Sequence, residues 1–369
     1  MPLSRCGASL MRQMVKTIRI MQSVGLLLLA AMLSGHARAA APARTNWAVA
    51  RVGDRVFAFY GLGANKTWLD IARDVHAYDI RSGHWRKLGD IPVARGRLDS
   101  VAVTVGGRVY LFGGYSVAAD GRETTTPDVL RFDPATGKFA GETAMPVPVD
   151  DSVALPWRDR WIVLVSGWHD SGNVRDVQIY DTRTKRWTSG TPWPGQPVFG
   201  HAGGLVGDSM VVCDGVTATK GAEGKHRFAI SNACWRGTLD PDAIGRIRWS
   251  ALPAHPGPPL YRAGAVGVRR AGGAASIVFA GGSARPYNYD GIGYDGMPAA
   301  PSSRVVSIDF RCNAWTEHRP LPRAGMDFRG MIEARGGFLL FGGMRAGQTV
   351  SDKVIRFTLP AVDCRRASR

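Results

Sequence analysis

Six short apolar runs, each closed by glycine, punctuate the chain: residues 55–60, 108–112, 161–165, 210–212, 276–280 and 337–341. β-Branched and aromatic side chains dominate them and turn residues bound them, which predicts strands. A more polar run and a tight turn precede each, as in Val105-Gly-Gly-Arg108. No stretch sustains a helical period. A second mark follows four of the six runs: a strand ends in Asp, a polar turn follows, and an aromatic comes six residues later. The pairs are Asp79 and Trp85, Asp133 and Phe139, Asp181 and Trp187, and Asp309 and Trp315. The fourth repeat departs, with Asp240 and Trp249 nine apart.

Self-similarity at this period identifies a repeat architecture. Marked at Gly63, Gly114, Gly167, Gly215, Gly282 and Gly343, the steps run from 48 to 67 residues. Each unit predicts four strands, and six such sheets arranged radially bury their faces against one another. The strand-four aromatic is expected between neighbouring sheets. These glycine pairs, strand-end aspartates and aromatics resemble the kelch repeat over nearly all of the chain after residue 39. The expected fold is therefore all-β, a six-bladed kelch-type propeller over residues 40–369. Ring closure stays open: residues 361–366 supply a fourth strand to the last blade, or that blade is incomplete.

The first 39 residues read differently. Arg5, Arg12, Lys16 and Arg19 precede an apolar run at 24–33, and Ala37-Arg38-Ala39 has the form of a cleavage site. This predicts a cleaved signal peptide and a periplasmic or secreted protein. The apolar run is too short to span a bilayer, and no other segment is apolar enough. Removing the leader's five Lys/Arg leaves +12 of the formal +17. Those charges are dispersed, with no basic helix, so a nucleic-acid partner is not expected. Export permits disulfides among Cys213, Cys234, Cys312 and Cys364. Cys213 with Cys234 is the favoured pair, because their strands neighbour each other in one repeat; Cys312 with Cys364 would then tie down the tail. Neither spacing resembles a metal site, and no cofactor is expected.

Chemistry is expected on the propeller face built from loops after strand two and before strand one. The longest such loop, 283–302, carries Tyr287, Asn288, Tyr289 and Asp290. Aromatic faces beside amide and carboxylate groups suit a sugar ring. Among kelch families the chain resembles the secreted N-acetylneuraminate mutarotases, or sialic acid epimerases. The resemblance lies in the segment 56–63 followed by Trp68, in Arg97, and in the loop after Gly282. It implies a small sugar or glycan substrate and an isomerase that opens and recloses a sugar ring. Such chemistry needs a general acid/base and an arginine to hold a substrate carboxylate. Where that family has its Glu and Arg after the fourth repeat's glycine, this chain has Val216 and Ala222. Glu223 and Arg227 lie in the same loop. The candidates for proton transfer are therefore Glu223 and His201. Those for substrate binding are Arg97, Arg227, Arg262, Arg329, Asp151, Tyr287, Asn288, Tyr289 and Asp290. A non-catalytic glycan- or protein-binding module is the alternative. Galactose oxidase-like copper chemistry is disfavoured by the lack of a Tyr-His pair, and sialidase by the lack of an Asp-box.

Overall fold

The computed structural model describes residues 41–221, 223–269 and 275–360; the proposed leader lies outside them. Five antiparallel four-stranded sheets and one of three strands follow one another along the chain. Blade 1 comprises Ala48–Val52, Arg55–Phe59, Asp74–Asp79 and Trp85–Asp90; blade 2 comprises Val101–Val105, Arg108–Phe112, Val129–Asp133 and Lys138–Gly141. Blade 3 holds Val153–Trp157, Trp161–Val165, Val177–Asp181 and Arg186–Ser189, and blade 4 Ala202–Val206, Ser209–Cys213, Cys234–Leu239 and Ile247–Leu252. Blade 5 is Gly264–Arg269, Ala275–Ala280, Val305–Asp309 and Ala314–Glu317, and blade 6 is Ile332–Ala334, Gly337–Phe341 and Val354–Phe357. The sixfold reading holds. Residues 361–366, on which the two alternatives for closing blade 6 turn, lie outside the described residues, as does Cys364. No helix among the described residues is long and apolar enough to cross a membrane.

The six-residue interval now has a cause. Each strand-end aspartate accepts hydrogen bonds from backbone N–H groups two or three residues on: Asp79 from Arg81 and Ser82, Asp133 from Ala135, Asp181 from Arg183, and Asp309 from Arg311. The carboxylate thereby caps the turn between strands three and four. Asp240 does the same for Asp242 at 2.9 Å, so the fourth repeat keeps the cap and lengthens only the turn. The aromatic that follows faces the preceding blade. Phe139 meets Phe59, Trp187 meets Phe112, and Trp85 meets Phe341 at 5.7 Å, which closes blade 1 onto blade 6.

The repeat marker of blade 1 is Gly61 rather than Gly63. Leu62 pairs with Thr45 as Tyr115 pairs with Leu98 one blade on, so Gly61 and Gly114 are equivalent. The glycine is required by space: a Cβ on Gly114 would lie 2.2 Å from Ser100 Oγ and 2.5 Å from the Leu98 carbonyl. A disulfide joins Cys213 to Cys234 on paired strands of blade 4.

At the axis, the residue two before each innermost strand has a positive φ in blades 1 to 5, and Asp327 holds the matching place in blade 6. The six are Asn46, Asp99, Asp151, Gly200, Arg262 and Asp327. Asn, Asp and Gly tolerate this left-handed backbone; Arg262 does not do so readily. The turns hydrogen-bond around the axis as a hoop. Asp151 N donates to Asp99 O, Gly200 N to Asp151 O, Arg262 N to Gly200 O, Phe328 N to Arg262 O, and Asn46 N to Asp327 O. The last link is Asp99 N to the Asn46 side-chain oxygen at 2.5 Å.

Candidate ligand cavity on the loop face

Three of the hoop residues are aspartates, and two arginines neutralise most of their charge. The Arg262 guanidinium reaches Asp99 at 2.6 Å, Asp151 at 2.7 Å and Asp327 at 3.3 Å. Arg329 pairs with Asp151 and with Asp99 at 2.5 Å. Asn46 adds hydrogen bonds to Asp99 and Asp327, and Thr45 one to Asp327. All five charged side chains are at most 3% exposed. Three carboxylates share two guanidiniums, and the shortfall falls on Asp99. Burial raises its pKa, the arginines oppose that, and the neighbouring aspartates add to it. For Asp151 burial also acts upward, but Arg262 and Arg329 prevail and hold it below the usual range.

Above this floor lies a cavity of about 240 Å³, near the small end of the roughly 300–1,000 Å³ typical of ligand pockets. Its walls come mainly from the hairpins and loops that follow the glycine pairs, with Asp150 from the segment before the first strand of blade 3. Blade 2 supplies Tyr115 and Glu123, blade 3 Asp150 and Trp168, blade 4 Phe228, and the long blade 5 loop Asn288, Tyr289 and Tyr294. The hairpins are joined as a crown. Thr125 N donates to Asp170, and Asn173 Nδ2 to the Val216 carbonyl. Tyr294 stacks on Phe228 with centroids 3.9 Å apart. Lys66 Nζ donates to the carbonyls of Asp290 and Gln348, binding the blade 5 loop to blades 1 and 6.

Asp150 sits at a revealing point of the repeat. One bridge per blade joins the residue before the left-handed turn to the residue after the glycine pair: Thr45, Leu98, Asp150, Phe199, Tyr261 and Met326 hold the first position. Four of these are apolar or aromatic. Blade 3 alone places a carboxyl there. Asp150 is 4% exposed and accepts one hydrogen bond from Thr125 Oγ1 at 2.6 Å. Burial pushes its pKa well above the usual range, the Asp99 charge adds to this, and Thr125 only partly offsets it. Glu123 is an exposed residue at the mouth. Enclosure by the surrounding loops still raises its carboxyl, against the pull of Arg262.

The predicted residues divide. Asp151 and Arg262 form the floor, while Asn288 and Tyr289 line the wall. The structure places the other candidates elsewhere. Glu223 is exposed in the turn of the blade 4 hairpin, away from the cavity lining. Arg227 lies on strand His226–Ile230 beside Phe228, so strand alternation turns it outward; it packs over Gly221. His201 lines the central channel between the innermost strands, not the loop-face cavity. Its Nε2 bonds the Val165 carbonyl at 2.7 Å, and burial lowers its pKa to about 4, so it is neutral. Arg97 pairs with Asp128 and packs over Tyr60 between blades 1 and 2. Arg329 is consumed by aspartates. Tyr287 is wholly buried against Tyr261. Asp290 caps its own turn by accepting from Ile292 N.

Sequence reasoning missed Glu123, Tyr115 and Phe228, and passed over Asp150 in favour of Asp151. The blade 2 segment 115–127 was the available signal, since it is another long insertion after a glycine pair.

Residues 46–244 match the family model described as the KLHDC2/KLHL20/DRC7 Kelch-repeats domain. The chain is 25% identical to Kelch-like protein terF of Aspergillus terreus over 348 residues, 87% of this chain and 65% of that protein. It is 34% identical over 110 residues to Kelch domain-containing protein 9 of Homo sapiens, 28% of this chain and 31% of that one. The chain thus spans less than two thirds of the length of these relatives. A solved structure titled "Structure of YjhT" superposes with a TM-score of 0.68 at 16% identity, covering 86% of this chain and 95% of the other. That likeness speaks to the fold alone.

Proposed function

The chain belongs to the kelch-repeat family, and from that premise we propose that it is an exported, carbohydrate-active propeller. Its loop-face cavity would catalyse ring opening and reclosure of a reducing sugar, in the manner of a mutarotase or epimerase. The observation that carries this reading is Asp150, a buried carboxyl whose pKa burial pushes well above the usual range, set beside the aromatic walls of a small cavity.

A neutral carboxylic acid is a bifunctional catalyst for this step. Its O–H gives a proton to the ring oxygen while its carbonyl oxygen takes the proton of the anomeric hydroxyl. The bond from the anomeric carbon to the ring oxygen breaks, the carbonyl forms, and the carboxyl is again neutral with its proton on the other oxygen. After rotation about the adjacent carbon–carbon bond, the same transfer in reverse closes the ring on the other face. No step leaves a new charge in the cavity, which suits a carboxyl that is itself buried. Tyr289 and Trp168 offer faces for the sugar's C–H groups, and Asn288 offers an amide for its hydroxyls. The Cys213–Cys234 disulfide supports export, and with it the reading of residues 1–39 as a leader.

A binding module without turnover is the second reading, favoured by exposed Trp68, Leu69 and Met297 on neighbouring loops. Exchange NMR on reducing sugars separates the two. The expected result is faster interconversion of anomers with the wild type, and a loss of about 10²–10⁴-fold in Asp150→Asn. Binding with unchanged exchange would leave only the module; full exchange activity in Asp150→Asn would remove Asp150 from the mechanism.

A further inference from the structure

The charge of the cavity runs opposite to what a sugar acid requires. Four of its lining residues are acids, Asp99, Glu123, Asp150 and Asp151, and Arg262 is the one cation among them. Arg262 already serves three carboxylates, and Arg329 behind it serves two of the same three at short range. Neither guanidinium can turn to a substrate carboxylate without weakening its pairing to buried aspartates, which is costly. Lys66 holds two loop carbonyls and does not line the cavity. Arg227 faces outward on the blade 4 hairpin. An entering anion would therefore find no free cation on the cavity lining and would meet Glu123.

An entering cation meets the reverse. Glu123 stands at the mouth with no ion-pair partner shown among the described residues. Tyr115, Trp168, Phe228, Tyr289 and Tyr294 also line the cavity, and aromatic rings attract a desolvated cation. We infer that the cavity binds a protonated amine, held between Glu123 and the aromatic walls, and excludes carboxylates. The substrate class under the sugar reading is then an amino sugar rather than a sugar acid. That assignment rests on the sugar reading; the preference for an amine does not.

Two probe sets keep these apart. Calorimetry at pH 6.5 would compare D-glucosamine, D-glucose and D-glucuronate, and separately cyclohexylammonium, cyclohexanol and cyclohexanecarboxylate. The expected order in both is amine over neutral by at least tenfold, with the acid weakest. In Glu123→Gln the amine-to-neutral ratio should fall towards one, with binding of the neutral probe reporting an intact cavity. A carboxylate that binds as tightly as the amine overturns the inference, as does an amine preference unchanged in Glu123→Gln. Amine preference in the cyclohexyl set alone, with no anomer exchange on any sugar, would sustain the inference and overturn the sugar reading.

Discussion

Asp151, in the cavity floor, pairs with two arginines and is held ionised. Asp150, one residue earlier in the wall, has a threonine hydroxyl as its partner, and burial pushes its pKa well above the usual range. Both are almost wholly buried. The residue type, the burial and the position in sequence are nearly the same; the partners differ. The left-handed backbone at Asp151 turns its side chain to the axis, where blades 5 and 6 deliver arginines. Asp150, in the bridge to Trp168, is turned to the aromatic wall. Burial alone therefore does not set the role of a carboxyl. The identity of the group brought to it by other blades does.

Exchanging each aspartate for the residue that blade 2 carries at the bridge tests this contrast. Asp151→Leu should lower stability by about 3–5 kcal/mol, because it removes a carboxylate that both buried guanidiniums use and sets a bulky side chain on a left-handed backbone; denaturant melts would read it, and a loss under 1 kcal/mol would undo the account of the floor. His201 gives the next effect. Its folded pKa, about 4, lies below the value of about 6.5 for the unfolded chain. The unfolded state binds more protons between those values, so stability falls as pH drops through that window. The loss is on the order of 3 kcal/mol by pH 4, and melts of His201→Gln should show a flatter slope there. Asp150→Leu should change stability by no more than about 1 kcal/mol, since four sister blades hold apolar or aromatic residues at that place. A large loss would mean that the wall carboxyl is structural. The Phe228–Tyr294 stack is worth about 0.5–1.5 kcal/mol in a double-mutant cycle. Smallest of all, Glu223→Gln and Arg227→Ala should leave both stability, within about 0.5 kcal/mol, and ligand binding unchanged.

What could be read from the chain was what repeats locally. The Asp-capped turn, the glycine pair and the inter-blade aromatic are each set by neighbours within a few residues, so the spacing of Asp181 and Trp187 carries the structure with it. The cavity depends on which loops meet above the axis, and spacing does not encode that. For Glu123 the only local sign was the length of the 115–127 insertion, because its neighbours Asp150 and Tyr289 lie on other blades. The same holds for the His255–Asp214 pair at 2.8 Å, which joins blade 4 to the segment leading into blade 5. Arg262 and Arg329 were singled out as charged residues near the axis. Their commitment to three aspartates emerges only when all six turns are set side by side.

The hydrogen-bonded hoop around the axis has a consequence for how the molecule comes apart. In an open solenoid each unit leans only on its neighbours, so an end can fray while the middle holds. Here the link from Asn46 to Asp327 exists only when the first and last blades have both arrived. Removing any one blade would leave two ends and expose the charges that the others neutralise. The protein should therefore denature in a single transition, with tryptophan fluorescence and far-UV circular dichroism coinciding; separated midpoints would show that the blades let go one by one. A closed circle of weak bonds makes six modest sheets act as a single cooperative unit.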